Sequence, residues 1–272
     1  MKVYTLNVGQ GQFVVVTGSS EAFIVDTYVP INPKVEIVNV KAALAKILAG
    51  KNLVGLMITG FDADHFNEVG IRIVLNKYRP AWIMYPRYYK ATGNARACFA
   101  AISEYQAGKD LAKYSIELSS NQTRFYYNIC SEFYFEVFSP HQEDMDSSNN
   151  CSLVCKVVER STGATYLITG DTETGRWDSI TRIFNESLRT QLLAAPHHGS
   201  ENGSTVALLE YCCPDTVIIS AGVNNPYGHP DRCALDLFKA YSREYYSTNW
   251  GGGQSIEVTL DGLSVRSAKF SL

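Results

Sequence analysis

Short runs of β-branched and aromatic residues open the chain, at residues 3–6, 13–16 and 22–25. The segments between the runs contain glycine, which favours turns between strands. This spacing predicts three strands that follow one another as a meander.

Helix-like and strand-like patterns alternate in the next part of the chain. Apolar residues recur at helical spacing after Asn32-Pro33 and stop at Gly50, which predicts a helix with proline near its start and glycine at its C-cap. A buried strand is predicted at residues 53–59 and a second helix at residues 66–78. Strand, polar segment and helix in this order are typical of α/β proteins that carry their chemistry at strand ends.

Both patterns return in the second half. A second meander is predicted at residues 133–138, 152–159 and 165–169. After it come strands at 191–195 and 216–220, helices at 204–211 and 232–241, and two last strands at 254–260 and 265–270. The pattern as a whole predicts an α/β fold of two mixed sheets with helices outside them.

Composition is that of an ordinary globular protein. The 272 residues are 46% hydrophobic and 19% charged, without a low-complexity tract or a long linker, so we expect one domain spanning residues 1–272. The formal net charge of −3 argues against binding of nucleic acid through the charge of the whole protein, but a local basic groove is compatible with it.

Localisation is predicted from the N-terminal segment and the cysteines. The first residues lack the apolar core of a signal peptide, and no apolar run reaches the roughly 20 residues that span a bilayer. The seven cysteines show no CxxC spacing and are expected to be reduced. We therefore expect a cytoplasmic protein without a membrane partner.

Ionisable side chains gather directly after the strand at residues 53–59. Asp62, Asp64 and His65 fall within four residues, and carboxylates at alternating positions of an extended chain point the same way. Two carboxylates this close need a cation. The alternative is that Asp62 and Asp64 cap the following helix, which aspartate does well.

Every histidine follows a predicted strand by a short step. The five are His65, His141, His197, His198 and His229. Loops at strand ends collect catalytic and binding side chains in layered α/β architectures. Together with Asp171, which follows the strand at residues 165–169, the histidines make a set suited to zinc, manganese or iron.

Short motifs follow one another in a fixed order over nearly the whole chain. They are Asn7-Val8-Gly9-Gln10-Gly11, Ile24-Val25-Asp26-Thr27, Asp62-Ala63-Asp64-His65, Asn149-Asn150-Cys151-Ser152-Leu153, Thr169-Gly170-Asp171, Pro196-His197-His198-Gly199-Ser200 and Tyr227-Gly228-His229-Pro230. This set resembles the metallo-β-lactamase superfamily and, within it, the hydrolase domain of ComEC-type competence proteins and its free-standing relatives.

The resemblance implies a fold and an activity. The fold is a four-layer αββα sandwich of two mixed sheets flanked by helices, with a metal site at the edge between the sheets. The activity is metal-dependent hydrolysis of phosphodiesters by a metal-bound hydroxide, with zinc or manganese as the cofactor and one or two ions per chain. DNA is the substrate class proposed for ComEC-type domains, so we expect a nuclease.

The resemblance also implies a set of metal ligands. The expected ligands are Asp62, Asp64, His65, Asp171, His197 and His198. Asp64 and His65 hold one metal, and Asp171 bridges or ligates. Of the histidine pair, His198 is the preferred ligand. Asp62 belongs to the neighbouring metal position.

Other residues receive different roles from the same resemblance. Asp64 and His229 are the expected catalytic residues, and His229 is expected to ligate, to orient a phosphate or to give a proton to the leaving group. Asp26 is expected to orient ligands without touching metal. His141 has no counterpart in the motifs, and it is interpreted either as an extra ligand or as a surface-loop residue.

Gly60 is the main departure from the related motif. That motif reads His-x-Asp-x-Asp-His, and Gly60 stands at its first histidine. Three interpretations follow: two metals with substitute ligands, one metal held by Asp64, His65, Asp171 and His198, or a catalytically degenerate binding partner. The retained ionisable residues favour a working hydrolase, because burying them without a bound ligand would cost free energy that nothing offsets.

Aromatic and basic residues bear on the expected nucleic-acid or nucleotide substrate. The residues that could stack bases and meet phosphates are Tyr85, Tyr88, Tyr89, Trp177, Trp250, Arg87, Lys90 and Arg176. Core packing explains most of them equally well. The alternative function is a small-molecule phosphodiesterase or other ester hydrolase on the same fold. A nuclease predicts an open basic groove, and a small-molecule enzyme predicts a closed pocket.

Overall fold

The structure is a computed structural model that describes residues 1–107, 110–144 and 148–271. The strands in these ranges are β1 (Lys2–Thr5), β2 (Val14–Thr17), β3 (Glu21–Val25), β4 (Asn52–Met57), β5 (Trp82–Pro86), β6 (Ala112–Ile116), β7 (Arg124–Tyr126), β8 (Phe133–Ser139), β9 (Val154–Glu159), β10 (Thr165–Ile168), β11 (Leu192–Ala194), β12 (Thr216–Ile219), β13 (Glu244–Ser247), β14 (Ser255–Leu260) and β15 (Val265–Phe270). The α-helices are α1 (Val35–Ile47), α2 (Glu68–Tyr78), α3 (Gly93–Gln106), α4 (Thr174–Phe184), α5 (Val206–Cys212) and α6 (Arg232–Tyr241).

The strands form two mixed sheets. The first has eight strands in the order β15-β14-β1-β2-β3-β4-β5-β6, and the second has seven in the order β13-β12-β11-β10-β9-β8-β7. Strands β3 to β6 are parallel to one another in the first sheet, and β10 to β13 are parallel in the second. In each sheet, the parallel strands bring their carboxyl ends to one edge, where loops carry side chains toward a common site.

Three apolar cores separate the layers. Consecutive residues of a strand point to opposite faces, and in β3 Phe23 lies in the core between the sheets while Ile24 packs toward α1, α2 and α3. Phe135 of the second sheet joins Phe23 in the central core. On the far side of the second sheet, Leu193 packs with Trp177 beneath α4, α5 and α6. The predicted four-layer αββα sandwich is therefore confirmed.

The helix predicted at residues 66–78 is α2, and its N-cap residue shows whether Asp62 or Asp64 caps it. The N-cap is Asn67, whose side chain accepts a hydrogen bond of 2.9 Å from the backbone N–H of Gly70. The interpretation of Asp62 and Asp64 as caps of this helix is therefore wrong.

Helix α4 and strands β6 and β13 were not among the predicted elements. The segment Thr174–Phe184 contains glycine, serine, aspartate and two threonines, which are weak helix formers. It is helical because Trp177, Ile180 and Phe184 lie on one face and are buried in the third core. Tertiary packing thus overrides local propensity here.

The described ranges contain neither a membrane-spanning helix nor a disulfide bond. No helix in them is long and apolar enough to cross a membrane. All seven cysteines lie within these ranges, and none of them forms a disulfide bond.

Candidate metal centre

Four predicted side chains converge where the loops of the two sheets meet. Asp64 and His65 follow β4 of the first sheet, Asp171 follows β10 and His198 follows β11 of the second. One ligand atom from each of the four lies within 4.8 Å of the others. Residues up to 134 positions apart in the chain, counted from Asp64 to His198, therefore form one cluster that could hold a metal ion.

Asp26 orients His65 from behind. Oδ2 of Asp26 lies 2.8 Å from Nδ1 of His65. The carboxylate is itself held by Thr59, whose backbone N–H donates to Oδ1 at 2.7 Å and whose hydroxyl donates to Oδ2 at 2.6 Å. When Nδ1 carries its proton toward Asp26, Nε2 presents a lone pair to the cluster.

A backbone carbonyl orients His198 in the same way. Its Nδ1 donates to the carbonyl oxygen of Ser220 at 2.7 Å, so Nε2 is left to face the cluster. That nitrogen lies 3.6 Å from Oδ2 of Asp64 and 3.7 Å from Oδ1 of Asp171. The backbone of His198 has φ +56°, in the left-handed region that costs energy for a residue other than glycine.

Three buried atoms at the centre have no hydrogen-bond partner among the described residues. They are Nε2 of His65, Nε2 of His198 and Oδ1 of Asp171. His65 Nε2 and Asp171 Oδ1 are 2.9 Å apart; they pair when Nε2 is protonated, but have no hydrogen bond when the proton of His65 is on Nδ1. Unpaired buried polar atoms are costly, and a cation bound among them would pair all three. Nitrogen and carboxylate donors in this combination suit zinc, manganese or iron.

The charges at the centre attract positive species. Burial would lower the pKa of His65, but the carboxylates of Asp171 and Asp26 raise it well above its ordinary value. Burial would raise the pKa of Asp171, but His65 and His198 hold it well below its usual range. Without metal, protons on the histidines balance the carboxylates, and a metal ion would compete with those protons.

A cavity of about 600 Å³ opens beside the cluster. The residues lining it are Gln10, Tyr28, Asp62, Ala63, Asp64, Asn149, Asp171, His197, His198, Pro226, Tyr227 and His229. His197 and His229 lie on this wall, outside the four-residue cluster. Nδ1 of His197 is 3.5 Å from Oε1 of Glu173, and Nδ1 of His229 is 3.3 Å from Oδ2 of Asp231.

Asp62 also lines the cavity, but its carboxylate pairs with the ammonium group of Lys90 from the loop after β5. The hydrogen bond to Asp62 raises the pKa of Lys90, burial opposes the shift, and Asp64 adds to it. A Cβ atom at Gly60 would meet nothing within 4 Å. The pairing with Lys90 was not predicted, because no sequence motif links two loops whose residues lie 28 positions apart. The expected metal role of Asp62 stays a prediction.

His141 belongs to a different, buried cluster. Its Nε2 lies 2.9 Å from the carbonyl oxygen of Gln122, and its Nδ1 faces the guanidinium group of Arg176. Arg176 in turn reaches Asp144, with Nε 2.9 Å from Oδ2. His141 has no exposed surface, so its interpretation as a surface-loop residue is wrong. Both ring nitrogens have partners, which leaves neither for a metal.

Two of the aromatic and basic residues proposed for a groove are part of the interior. Trp177 and Arg176 are buried in α4, so their interpretation as groove residues is wrong. Tyr89 is 47% exposed, and one side of it packs against Phe61 and Phe99, with ring centroids 6.5 and 5.5 Å away. Its role in a groove stays a prediction.

Comparison of the whole structure decides the fold family. The structure is similar to Igni18, described as a metallo hydrolase from the hyperthermophilic archaeon Ignicoccus hospitalis. The match covers 94% of this chain and 98% of Igni18, with a TM-score of 0.57 and 11% sequence identity. The shared architecture is the pair of mixed sheets flanked by helices. This chain has the metallo-β-lactamase fold. No protein-family model matches it.

This metallo-β-lactamase-fold protein is also similar in sequence to two curated bacterial proteins. It is 28% identical over 207 residues to ComE operon protein 3 of Bacillus subtilis, covering 74% of the chain and 24% of that protein. It is 30% identical over 132 residues to competence protein ComA of Neisseria gonorrhoeae, covering 48% of the chain and 19% of that protein. The expected resemblance is confirmed, and the chain spans about a quarter or less of these relatives.

Proposed function

We propose that this protein is a metal-dependent hydrolase of phosphodiesters and acts as a nuclease. The observation that carries the proposal is the convergence of Asp64, His65, Asp171 and His198, with unpaired buried atoms, beside a cavity. Similarity to a protein named for competence, ComA of Neisseria gonorrhoeae, supports DNA as the substrate class.

The four residues of the cluster would hold one zinc or manganese ion. A divalent ion there would lower the pKa of a coordinated water and offset the negative charge that develops on the phosphate oxygens. Asp26 keeps Nε2 of His65 free for ligation, and the carbonyl of Ser220 does the same for His198. These two contacts pre-orient the donors, so that little reorganisation is needed when the site binds its cation.

His229 would give a proton to the leaving oxygen. It lies on the cavity wall, with its ring stacked on that of Tyr227 at 5.8 Å between centroids. Burial lowers the pKa of His229, Asp231 opposes this, and His197 lowers it further. The protonated ring is therefore a stronger acid than an ordinary histidine, while a smaller fraction of it is protonated at neutral pH.

A small-molecule phosphodiesterase is the second candidate. Among the described residues that line the cavity there is no lysine or arginine, and a volume of about 600 Å³ is within the range of small-molecule pockets. A long nucleic acid would need basic contacts beyond this cavity. The cavity itself fits a nucleotide or another compact phosphodiester.

A catalytically degenerate binding partner is the least supported alternative. Such a protein would keep two buried histidines and a buried carboxylate with unpaired atoms, at a cost to stability and without a ligand to offset it. The expected location in the cytoplasm stays a prediction.

The proposal is tested with purified protein loaded with zinc or manganese. Single- and double-stranded DNA, RNA, a cyclic dinucleotide and bis-p-nitrophenyl phosphate are the substrates, with His65→Ala and Asp171→Ala as inactive variants and Asp236→Asn, on the exposed face of α6, as the control. Hydrolysis that both alanine variants and a chelator abolish is the expected result. Cleavage of DNA supports the nuclease, and cleavage of only the small substrates supports the second candidate. No hydrolysis of any substrate contradicts both.

A further inference from the structure

We infer that the ammonium group of Lys90, held by Asp62, is a fixed second positive charge of this site and binds a phosphate oxygen of the substrate beside a single metal ion. The inference rests on the proposed phosphodiesterase function. It adds Lys90 to the site and gives a reason for a single metal ion per chain.

The position of the pair supports this role. Asp62 and Lys90 lie in the loops after β4 and β5, which are neighbouring parallel strands. Asp62 lines the cavity and stands two positions before Asp64 of the cluster. The ammonium group is close enough to Asp64 to interact with its charge. The pair thus places the ammonium group behind a carboxylate that lines the cavity, near the ligands, while Lys90 is not itself one of the lining residues.

Aromatic packing fixes the two loops against each other. Phe61, beside Asp62, and Tyr89, beside Lys90, both contact Phe99 of α3, with ring centroids 5.2 and 5.5 Å away. The two rings also lie 6.5 Å from each other. An isolated surface ion pair contributes little because its side chains are mobile. Here the backbone on both sides is anchored, so the charge is held in place.

The balance of charge indicates one metal ion. Within the cluster, Asp64 and Asp171 supply two negative charges, which one divalent ion offsets. The third cavity carboxylate, Asp62, is already offset by Lys90. Gly60 offers no donor atom from its side chain, so a second ion that used Asp62 would have to displace the ammonium group.

The ammonium group has donors to spare. A protonated lysine carries three N–H donors and has no acceptor. One donor is directed at Asp62, which leaves two for a phosphate oxygen. Lysine is an effective phosphate ligand as a compact point charge.

The test compares Lys90→Met, which removes the charge, and Lys90→Arg, which keeps it. Lys113→Met, at an exposed position of β6, is the matched control. Metal per chain is measured by elemental analysis after manganese loading and dialysis, and affinity for inorganic phosphate is measured by calorimetry on the loaded proteins. We expect about one equivalent of metal in all four proteins, and about tenfold weaker phosphate binding in Lys90→Met alone, because a lost charged hydrogen bond is typically of that size.

Three results would overturn the inference. They are two equivalents of metal in the unaltered protein, equal phosphate affinity with and without the Lys90 charge, and no phosphate binding at all. A protein that binds no metal would contradict the proposed function instead. In that case the phosphate comparison on the metal-free proteins still decides the role of Lys90.

Discussion

Asp26 and His65 form a buried pair in which Oδ2 of the carboxylate lies 2.8 Å from Nδ1 of the ring. Both side chains are almost completely inaccessible to solvent. The pair determines which nitrogen of His65 faces the candidate metal, and hence whether the ring can act as a ligand at all.

Asp26→Asn tests this relationship. The backbone of Asp26 has φ +56°, a conformation that asparagine tolerates as well as aspartate does, so the fold should be preserved. The substitution removes the charge that holds the Nδ1 proton. We expect metal affinity to fall by about 10- to 100-fold, the usual effect of losing such a partner.

Metal titration of Asp26→Asn and of the control Asp236→Asn measures the effect. Asp236 lies on the exposed side of α6, so its substitution should leave affinity unchanged. Equal metal affinity in Asp26→Asn and the unaltered protein would show that the carboxylate does not orient the ligand.

Gly60→His restores the histidine that the related motif has at this position. It tests whether position 60 and Lys90 together determine the number of metal ions per chain. A Cβ atom at Gly60 meets open space, so the substitution should change the free energy of unfolding by less than about 1 kcal/mol. Gly60→His alone should keep one metal per chain, because Lys90 still occupies Asp62. Gly60→His combined with Lys90→Met should take up a second equivalent, since a nitrogen donor and a free carboxylate are then both present.

Elemental analysis of the single and double variants decides this prediction. A second metal ion in Gly60→His alone would show that Lys90 does not compete for Asp62. One ion in the double variant would show that position 60 does not lie where a ligand is needed.

His141 is expected to make the protein sensitive to acid. Burial lowers its pKa below the ordinary 6.5, and Arg176 lowers it further, while the carbonyl of Gln122 and the charge of Glu143 oppose the shift. Because the folded-state pKa is depressed, the stability that neutral His141 contributes is fully present above 6.5 and is lost as the pH falls toward the folded-state value. Protonation would place a second cation against Arg176.

His141→Gln separates this effect from the titration of other groups. Glutamine can still accept from Arg176 and donate to the carbonyl of Gln122, but it does not titrate. Urea unfolding of metal-free protein at about pH 7.5 and about pH 5.5 measures the difference, with the variant losing less stability between the two than the unaltered protein. An equal loss in both would exclude His141 as the acid-sensitive group.

The sequence was informative where apolar runs ended in polar motifs. The apolar runs predicted strands that end just before Asp64 and His65, before Asp171 and before His198. In the structure, parallel strands bring these ends together. Hydrophobic periodicity indicates which residues form a sheet. It therefore also indicates which polar residues lie at the ends of its strands.

Partners joined only by tertiary packing were not predictable in the same way. The pairing of Asp62 with Lys90 depends on two loops meeting through an aromatic cluster, and no local pattern encodes that. The burial of His141 depends on Arg176 of α4, a helix whose weak propensity concealed it. Sequence motifs therefore located the candidate ligands, and the structure was needed to find what neutralises and orients them.

Anomalous diffraction from crystals soaked in zinc or manganese is the most direct test of the central claim. We predict one strong anomalous peak per chain, within about 2.0–2.2 Å of donor atoms of Asp64, His65, Asp171 and His198. The absence of a peak among these four residues would contradict the single-ion centre. So would a metal ion bound to Asp62 at the position that the ammonium group of Lys90 now occupies.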